Sequence, residues 1–264
     1  MVTRRFEDVQ RRIVESRLQG FLVTFLPNIY YLTGFTGSHA VLVMRHGEST
    51  LFTDARYRSQ AKAEVKDLRV CIAAGSLFEA IQEKGLIKKK ERFGIEADSL
   101  SLSHFEKLKH LFRQTVLVRT KSLVEQIRVR KDEVEISKIR RAVRITDRVF
   151  DKILGILRPG VRELEIAAEI SYLHRFYGAE SDAFEPIVAS GIRGAMPHGR
   201  ASDKKIQRGE MVTIDMGCRV EGYHSDLTRT IAVGKPPDEL KRMHHIVRDA
   251  QQRTVGRCLH NDSD

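Results

Sequence analysis

Two carboxylates stand where the sequence otherwise reads as strand: Asp215 follows Val212-Thr213-Ile214, and Asp226 follows Gly222-Tyr223-His224-Ser225. A hairpin turning near Val220-Glu221-Gly222 sets the two opposite each other on one face of an antiparallel pair. Two ionised carboxylates at that separation repel, and burial raises the pKa of one unless a cation neutralises them. A pair of divalent ions is the economical explanation, because carboxylates that bridge two ions about 3.5 to 4 Å apart frame two-metal hydrolases. Two plainer readings satisfy the same spacing: a salt bridge to Arg229, or exposed positions in an edge hairpin.

Such a pair needs a sheet to carry it and helices packed behind that sheet. From Lys131 onward, Ile136, Ile139, Val143, Thr146, Phe150, Ile153 and Leu157 recur three and four apart, predicting one long helix with a core-facing stripe that Arg158-Pro159-Gly160 ends. A second helix is expected from about Glu163 to Tyr177, stopped at Gly178, followed by strands over 184–189, 211–216 and 223–233. Helices followed by strands make this half α+β. The first half differs. A helix over 6–18 with Gly20 as its cap leads into strands at 21–25, 40–44 and 50–53, the last two joined by the turn Arg45-His46-Gly47-Glu48. Further strands at 69–74, 92–97 and 115–119 alternate with helices at 76–84 and 102–112, an α/β layer. The change of pattern divides the chain into residues 1–124 and 125–264.

The 264 residues, 41% of them hydrophobic, suffice for two ordinary cores, which excludes a disordered chain. No run of about 18 apolar residues and no apolar stretch behind the charged N-terminus is present, so neither a membrane span nor a signal peptide is expected. Cys71, Cys218 and Cys258 are scattered without C-x-x-C spacing, as in reduced thiols, and the cytoplasm is the expected location. The formal charge of +11 raises the question of a polyanion partner. Basic residues are interspersed with acids, however, and only Lys88-Lys89-Lys90 forms a run, in a turn, so a solvated face is expected rather than a nucleic-acid site.

The strings Asp215-Met216-Gly217, Gly222-Tyr223-His224-Ser225-Asp226-Leu227-Thr228-Arg229-Thr230 and Val233-Gly234-Lys235-Pro236 resemble the D-x-G, G-Y-x-S-D-x-T-R-T and G signature of the pita-bread metallopeptidases, family M24. Within it the pattern is most similar to Xaa-Pro aminopeptidases and Xaa-Pro dipeptidases. Tyr31-Leu32-Thr33-Gly34-Phe35-Thr36-Gly37-Ser38 and Thr53-Asp54-Ala55-Arg56-Tyr57 resemble the creatinase-like N-terminal domain of that group, and Lys131-Asp132-Glu133-Val134-Glu135-Ile136 resembles the start of its catalytic domain. The resemblance implies Asp215 and Asp226 as metal ligands. It also implies two manganese, cobalt or zinc ions that activate water and polarise the scissile carbonyl, and release of a residue that precedes proline. Met196-Pro197-His198-Gly199, reached through Ile187-Val188-Ala189-Ser190-Gly191, resembles the loop whose histidine faces substrate, so His198 takes that role by resemblance. Beside metals, a histidine donates a hydrogen bond to the reacting amide or intermediate. Without the family context, a lone histidine in a Pro-Gly loop is more often merely structural. The N-terminal domain in such proteins commonly makes subunit contacts, which implies a homodimer.

The sequence also departs from the family pattern. The H-G-x-G-H, E-P-G and R-x-E-D motifs that complete the ligand set with one histidine and two glutamates are absent. Two carboxylates alone bind a divalent ion weakly, since hard ions and zinc take four to six ligands. The expectation is therefore a chain incomplete at its C-terminus, lacking three ligands and inactive as it stands, with the end, Arg257 to Asp264, unlike the family's next segment. His244, His245 and His260 are weak substitutes, the first two lying on an amphipathic helix. The alternatives kept open are a non-catalytic pita-bread binding module and a creatinase-like hydrolase that works without metal.

Overall fold

In the computed structural model, which describes residues 2–258 and the side chains of residues 4–257, strict alternation sorts the strands of the first half onto two faces. Strands β1 (Gly20–Val23), β2 (Ala40–Arg45) and β3 (Glu48–Asp54) send Phe21, Val23, Leu42, Met44 and Leu51 to one core and Leu22, Val41, Val43 and Phe52 to another. With β4 (Arg69–Ala73), β5 (Arg92–Glu96) and β6 (Val116–Thr120) they form a six-stranded mixed sheet in the order β4-β3-β2-β1-β5-β6. Helices α1 (Val2–Glu15), α2 (Leu26–Thr33), α3 (Arg58–Glu64) and α6 (Glu125–Arg128) cover the first face. Helices α4 (Leu77–Glu83) and α5 (Leu102–Leu111) cover the second. Arg45 pairs with Glu48 across the two-residue turn His46-Gly47, where Gly47 takes the left-handed φ of 73° that the turn requires.

The cap expected for the first helix is corrected. Gly20 does not cap α1, which ends at Glu15; Arg17 takes the left-handed turn at φ 54°, and Gly20 opens β1, where a Cβ would meet the Phe93 ring at 2.2 Å. The helices over 26–33 and 58–64 go unread in the sequence because neither shows one apolar stripe: the first is buried at Asn28, Ile29, Tyr31, Leu32 and Thr33, and the second only at Ala61. The chain divides into the units Met1–Lys131 and Asp132–Asp264, later than the change of pattern near 125. Helix α6 stays with the first unit. Asn28 Nδ2 donates to Glu125 at 2.7 Å, Arg128 donates to Asn28 Oδ1 at 2.7 Å, and Val124 is fully buried in the first core.

The second unit begins at a capping box: the Glu135 amide donates to Asp132 Oδ1 and the Asp132 amide to Glu135 Oε2, starting α7 (Glu133–Ile156). Helix α8 (Glu163–Phe176) follows, and Gly178 takes the left-handed conformation behind it. The core lies between these helices and two small sheets. The inward face of α7 is Ala142, Ile145, Thr146, Val149 and Ile153, rotated from the expected stripe, so that Val143 faces solvent. The strand expected over 184–189 is the shorter β8 (Ile187–Ser190), preceded by the unread β7 (Ser181–Asp182) in a different sheet, and the strand over 223–233 separates into β11 (Tyr223–His224) and β12 (Leu227–Ala232). With β9 (Met211–Met216) and β10 (Cys218–Val220), the sheets are ordered β12-β9-β8 and β11-β10-β7. Helix α9 (Asp238–Cys258) closes the described residues.

Candidate metal centre

Strand β9 alternates cleanly: Val212, Ile214 and Met216 are buried in the core, and Met211, Thr213 and Asp215 occupy the other, half-open face. Alternation alone therefore explains why a carboxylate is tolerated in a central strand. Across from it, Asp215 faces Thr228, not Asp226; the register runs Leu227 to Met216 and Thr228 to Asp215. The expected opposition of the two acids is thus corrected by two positions. The cause is the turn, which is a tight pair, Glu221-Gly222, with φ of 47° and 77°, closing Val220 against Tyr223. A two-residue shift preserves which residues share a face, whereas a one-residue shift would invert them. Thr228 Oγ1 donates to Asp215 Oδ1 at 2.7 Å, and Thr213 and Thr230 meet beside them at 3.3 Å.

Asp226 is exposed and lies between β11 and β12, two residues before Thr228. It is there because the hairpin bends. A Cβ on Gly217 would come 2.0 Å from the Ser225 carbonyl oxygen, so only glycine lets the two strands approach so closely. Ser225 is buried and fixes the bend: its hydroxyl accepts the Cys218 amide at 2.9 Å and meets the Thr146 hydroxyl of α7 at 2.6 Å. Beyond the bend, the ladder passes to β7, with Cys218 opposite Asp182, and the Tyr223 hydroxyl donates to Glu135 at 2.9 Å. The glycines, serine and tyrosine of the motif are thus the parts that shape and anchor the hairpin.

His198 is exposed on the segment between β8 and β9. A succession of tight bonds forms the turn around it, Met196 amide to Arg193 carbonyl at 3.0 Å and Gly199 amide to Met196 carbonyl at 3.1 Å. Behind the segment, Glu163 at the start of α8 is fully buried and takes hydrogen bonds from Ser190, Arg193 and Ser202. Burial works to raise its pKa, but the bonds from Ser202 and Ser190 and the Arg193 charge outweigh it and hold the carboxyl below the usual range. Sequence reasoning passes over Glu163. An acid in the first turn of a helix is favoured by the helix dipole wherever it occurs, so its type and place carry no special signal.

As a donor set, Asp215 and Asp226 offer hard oxygens suited to a divalent cation. The plain alternative of an ion pair to Arg229 is not realised, since that guanidinium donates to the Thr228 carbonyl at 2.8 Å. Among the described residues no three His, Cys, Asp or Glu side chains gather as a metal site. The two carboxylates alone do not make a full coordination sphere. His244 and His245 lie on α9 as expected, while His260 and the tail fall outside the described residues. His174 is a core residue, fully buried with Nδ1 at 2.6 Å from Asp182. Cys71 and Cys218 are free thiols. No helix among the described residues is long and apolar enough to cross a membrane.

Comparison with known proteins finds likeness over both units. Residues 5–130 match the creatinase/prolidase N-terminal domain, and residues 137–261 match metallopeptidase family M24. The Bacillus subtilis peptidase YqhT is 36% identical over 247 residues, covering 94% of this chain and 70% of that protein. The Xaa-Pro dipeptidase of Pyrococcus furiosus is 34% identical over 252 residues, covering 95% of this chain and 71% of the relative. Among solved structures, the Xaa-Pro dipeptidase from Bacillus anthracis superposes with a TM-score of 0.91 at 36% identity, covering 96% of this chain and 71% of the other.

Proposed function

Because the chain belongs to metallopeptidase family M24 and carries a creatinase/prolidase N-terminal domain, we propose that its second unit serves the hydrolysis of short peptides whose second residue is proline. Asp215 and Asp226 are the ligands it contributes to a pair of divalent ions, manganese, cobalt or zinc, and His198 is the hydrogen-bond donor toward the substrate. When bound, the metals supply an activated water and polarise the scissile carbonyl. The observation that carries this reading is the state of the two acids. Asp215 stands on the half-open face of β9 with a single hydroxyl partner, Asp226 precedes that partner by two residues, and among the described residues neither is paired with a cation. A cation taken up by both carboxylates would neutralise them and fill the acceptor sites that the fold leaves open.

The 264 residues contain only these two of the five ligands that the family pattern implies. The chain by itself is therefore expected to bind manganese weakly, with a dissociation constant above about 0.1 mM, and not to turn over Ala-Pro. Calorimetry and paramagnetic broadening of the Asp215 and Thr228 amides measure the first part, and Asp215→Asn and Asp226→Asn should each abolish the broadening. In a chain that also carries the three missing motifs, Asp226→Ala should abolish Ala-Pro hydrolysis. Activity kept within about tenfold, an effect of only about 1.4 kcal/mol, would remove Asp226 from the ligand set. A homodimer joined through the first unit completes the proposal, and light scattering at twice the chain mass is its measurement.

A further inference from the structure

The segment that carries His198 has its two ends fastened to one side chain. Glu163 Oε1 accepts the Ser190 amide and the Ser190 hydroxyl, each at 2.8 Å. Glu163 Oε2 accepts Arg193 Nε at 3.0 Å, the Ser202 amide at 3.1 Å and the Ser202 hydroxyl at 2.7 Å. One oxygen therefore holds the exit from β8 and the other holds the return of the loop. The helix backbone repeats the attachment, with the Glu163 and Leu164 amides donating to the Lys204 and Ser202 carbonyls at 3.1 Å. Lys204 Nζ also donates to the Ser190 hydroxyl at 2.8 Å, which directs that hydroxyl's own proton to Glu163. Through Arg193, whose Nη2 donates to the Arg200 carbonyl at 2.6 Å, the turn bearing His198 is tied to the same carboxylate.

We propose that Glu163 is the positioning residue of this loop: it fixes segment 190–202 against α8 and so sets where His198 stands. Resting on the function proposed above, it thereby sets the approach of His198 to a peptide held at the Asp215 face. The chemistry requires a carboxylate. An ionised glutamate accepts on both oxygens, so it can receive donors from both ends of the loop, whereas the amide nitrogen of glutamine would point its hydrogens at one of those sets. Bonds to an ionised acceptor are also stronger than neutral ones. An aspartate is one methylene shorter and cannot reach both ends from the same helix position.

Trypsin digestion of the 264-residue chain with mass identification of the cuts tests the inference, because Arg193 and Arg200 lie inside the loop. Cleavage at these two sites is expected to be about tenfold faster in Glu163→Gln, with circular dichroism unchanged and Glu165→Gln, an exposed acid on the same turn, behaving as wild type. The ring resonance of His198 should shift in Glu163→Gln, and the shift that Ala-Pro induces in the wild type should vanish. Unchanged cleavage and an unmoved His198 resonance in a folded Glu163→Gln chain would overturn the proposal. If that variant does not fold, Ser202→Ala removes one donor and leaves the carboxylate, and its cleavage should be intermediate; a wild-type rate there would also overturn it. Should Ala-Pro leave His198 unmoved in the wild type while Glu163→Gln still frees the loop, the positioning role stands and the substrate reading alone fails.

Discussion

Within the second unit, the pocket behind the His198 loop and the open face of β9 use the same functional group in opposite ways. Glu163 is fully buried with five donors on its two oxygens, among them a guanidinium. Asp215 is half-exposed with one hydroxyl, and Asp226 is exposed. A buried carboxylate persists only when its lone pairs are taken up, so the first arrangement is structural. A carboxylate left with free lone pairs on an accessible face contributes little to folding and keeps its acceptor capacity for a ligand. The contrast teaches that the acid best held by this fold and the acids best suited to chemistry are different residues.

Glu163→Ala should give the largest effect. It orphans five donors and leaves Arg193 without its anion, which on the precedent of broken buried pairs costs about 3 to 5 kcal/mol, read from urea denaturation of the second unit. A loss below about 1 kcal/mol would erase the contrast.

Proton linkage should give a middle-sized effect with a sign that separates the two units. In the first unit, Glu96 is buried and accepts from the Thr24 and Phe25 amides and Asn28 without a cation, and burial pushes its pKa up despite those bonds. Glu163, with Arg193 beside it, is held down. Stability contributed by Glu163 is complete above the unfolded glutamate pKa of about 4.3 and is lost as pH falls through the lower folded value. Glu96 does the reverse: the folded state keeps a proton that the unfolded chain has released, so stability falls as pH rises from about 4.3 through the raised folded value. Denaturation midpoints against pH should therefore lose a rising slope in Glu163→Gln and a falling slope in Glu96→Gln. The same sign in both would break the comparison.

Asp215→Ala and Asp226→Ala should give the smallest changes in stability. The first loses one hydroxyl bond, about 0.5 to 1.5 kcal/mol, and the second, at an exposed position, stays within about 0.5 kcal/mol. A cost near that of Glu163→Ala at either position, measured in the same denaturation series, would reassign that aspartate from chemistry to structure.

Most strands were legible because their alternation is local: Val41-Leu42-Val43 and Val212-Thr213-Ile214 announce a pleat without help from the rest of the chain. Helices α7 and α8 were legible through length and stop signals at Pro159 and Gly178, although the inward face of α7 was misjudged at Val143. Helices α2 and α3 were not, since α2 is buried on most of its surface and α3 only at Ala61, so neither shows a single apolar stripe. In the candidate site, Asp215 and Asp226 stood out as acids in strand-like runs and His198 through motif resemblance, and both signals mark residue type and order but not register.

What the sequence by itself determined is the set of local choices: which segments pleat or coil, where glycine must turn the chain at 47, 178 and 222, and which acids stand in strands. Tertiary structure alone decided that Asp215 meets Thr228, that the hairpin bends at Gly217 against Ser225, and that Glu163 gathers Ser190, Arg193 and Ser202. The physical reason is range. Dihedral preference and side-chain period act over a few residues, whereas the bonds of Glu163 join positions 27 to 39 residues apart and exist only once α8 has packed beside β8.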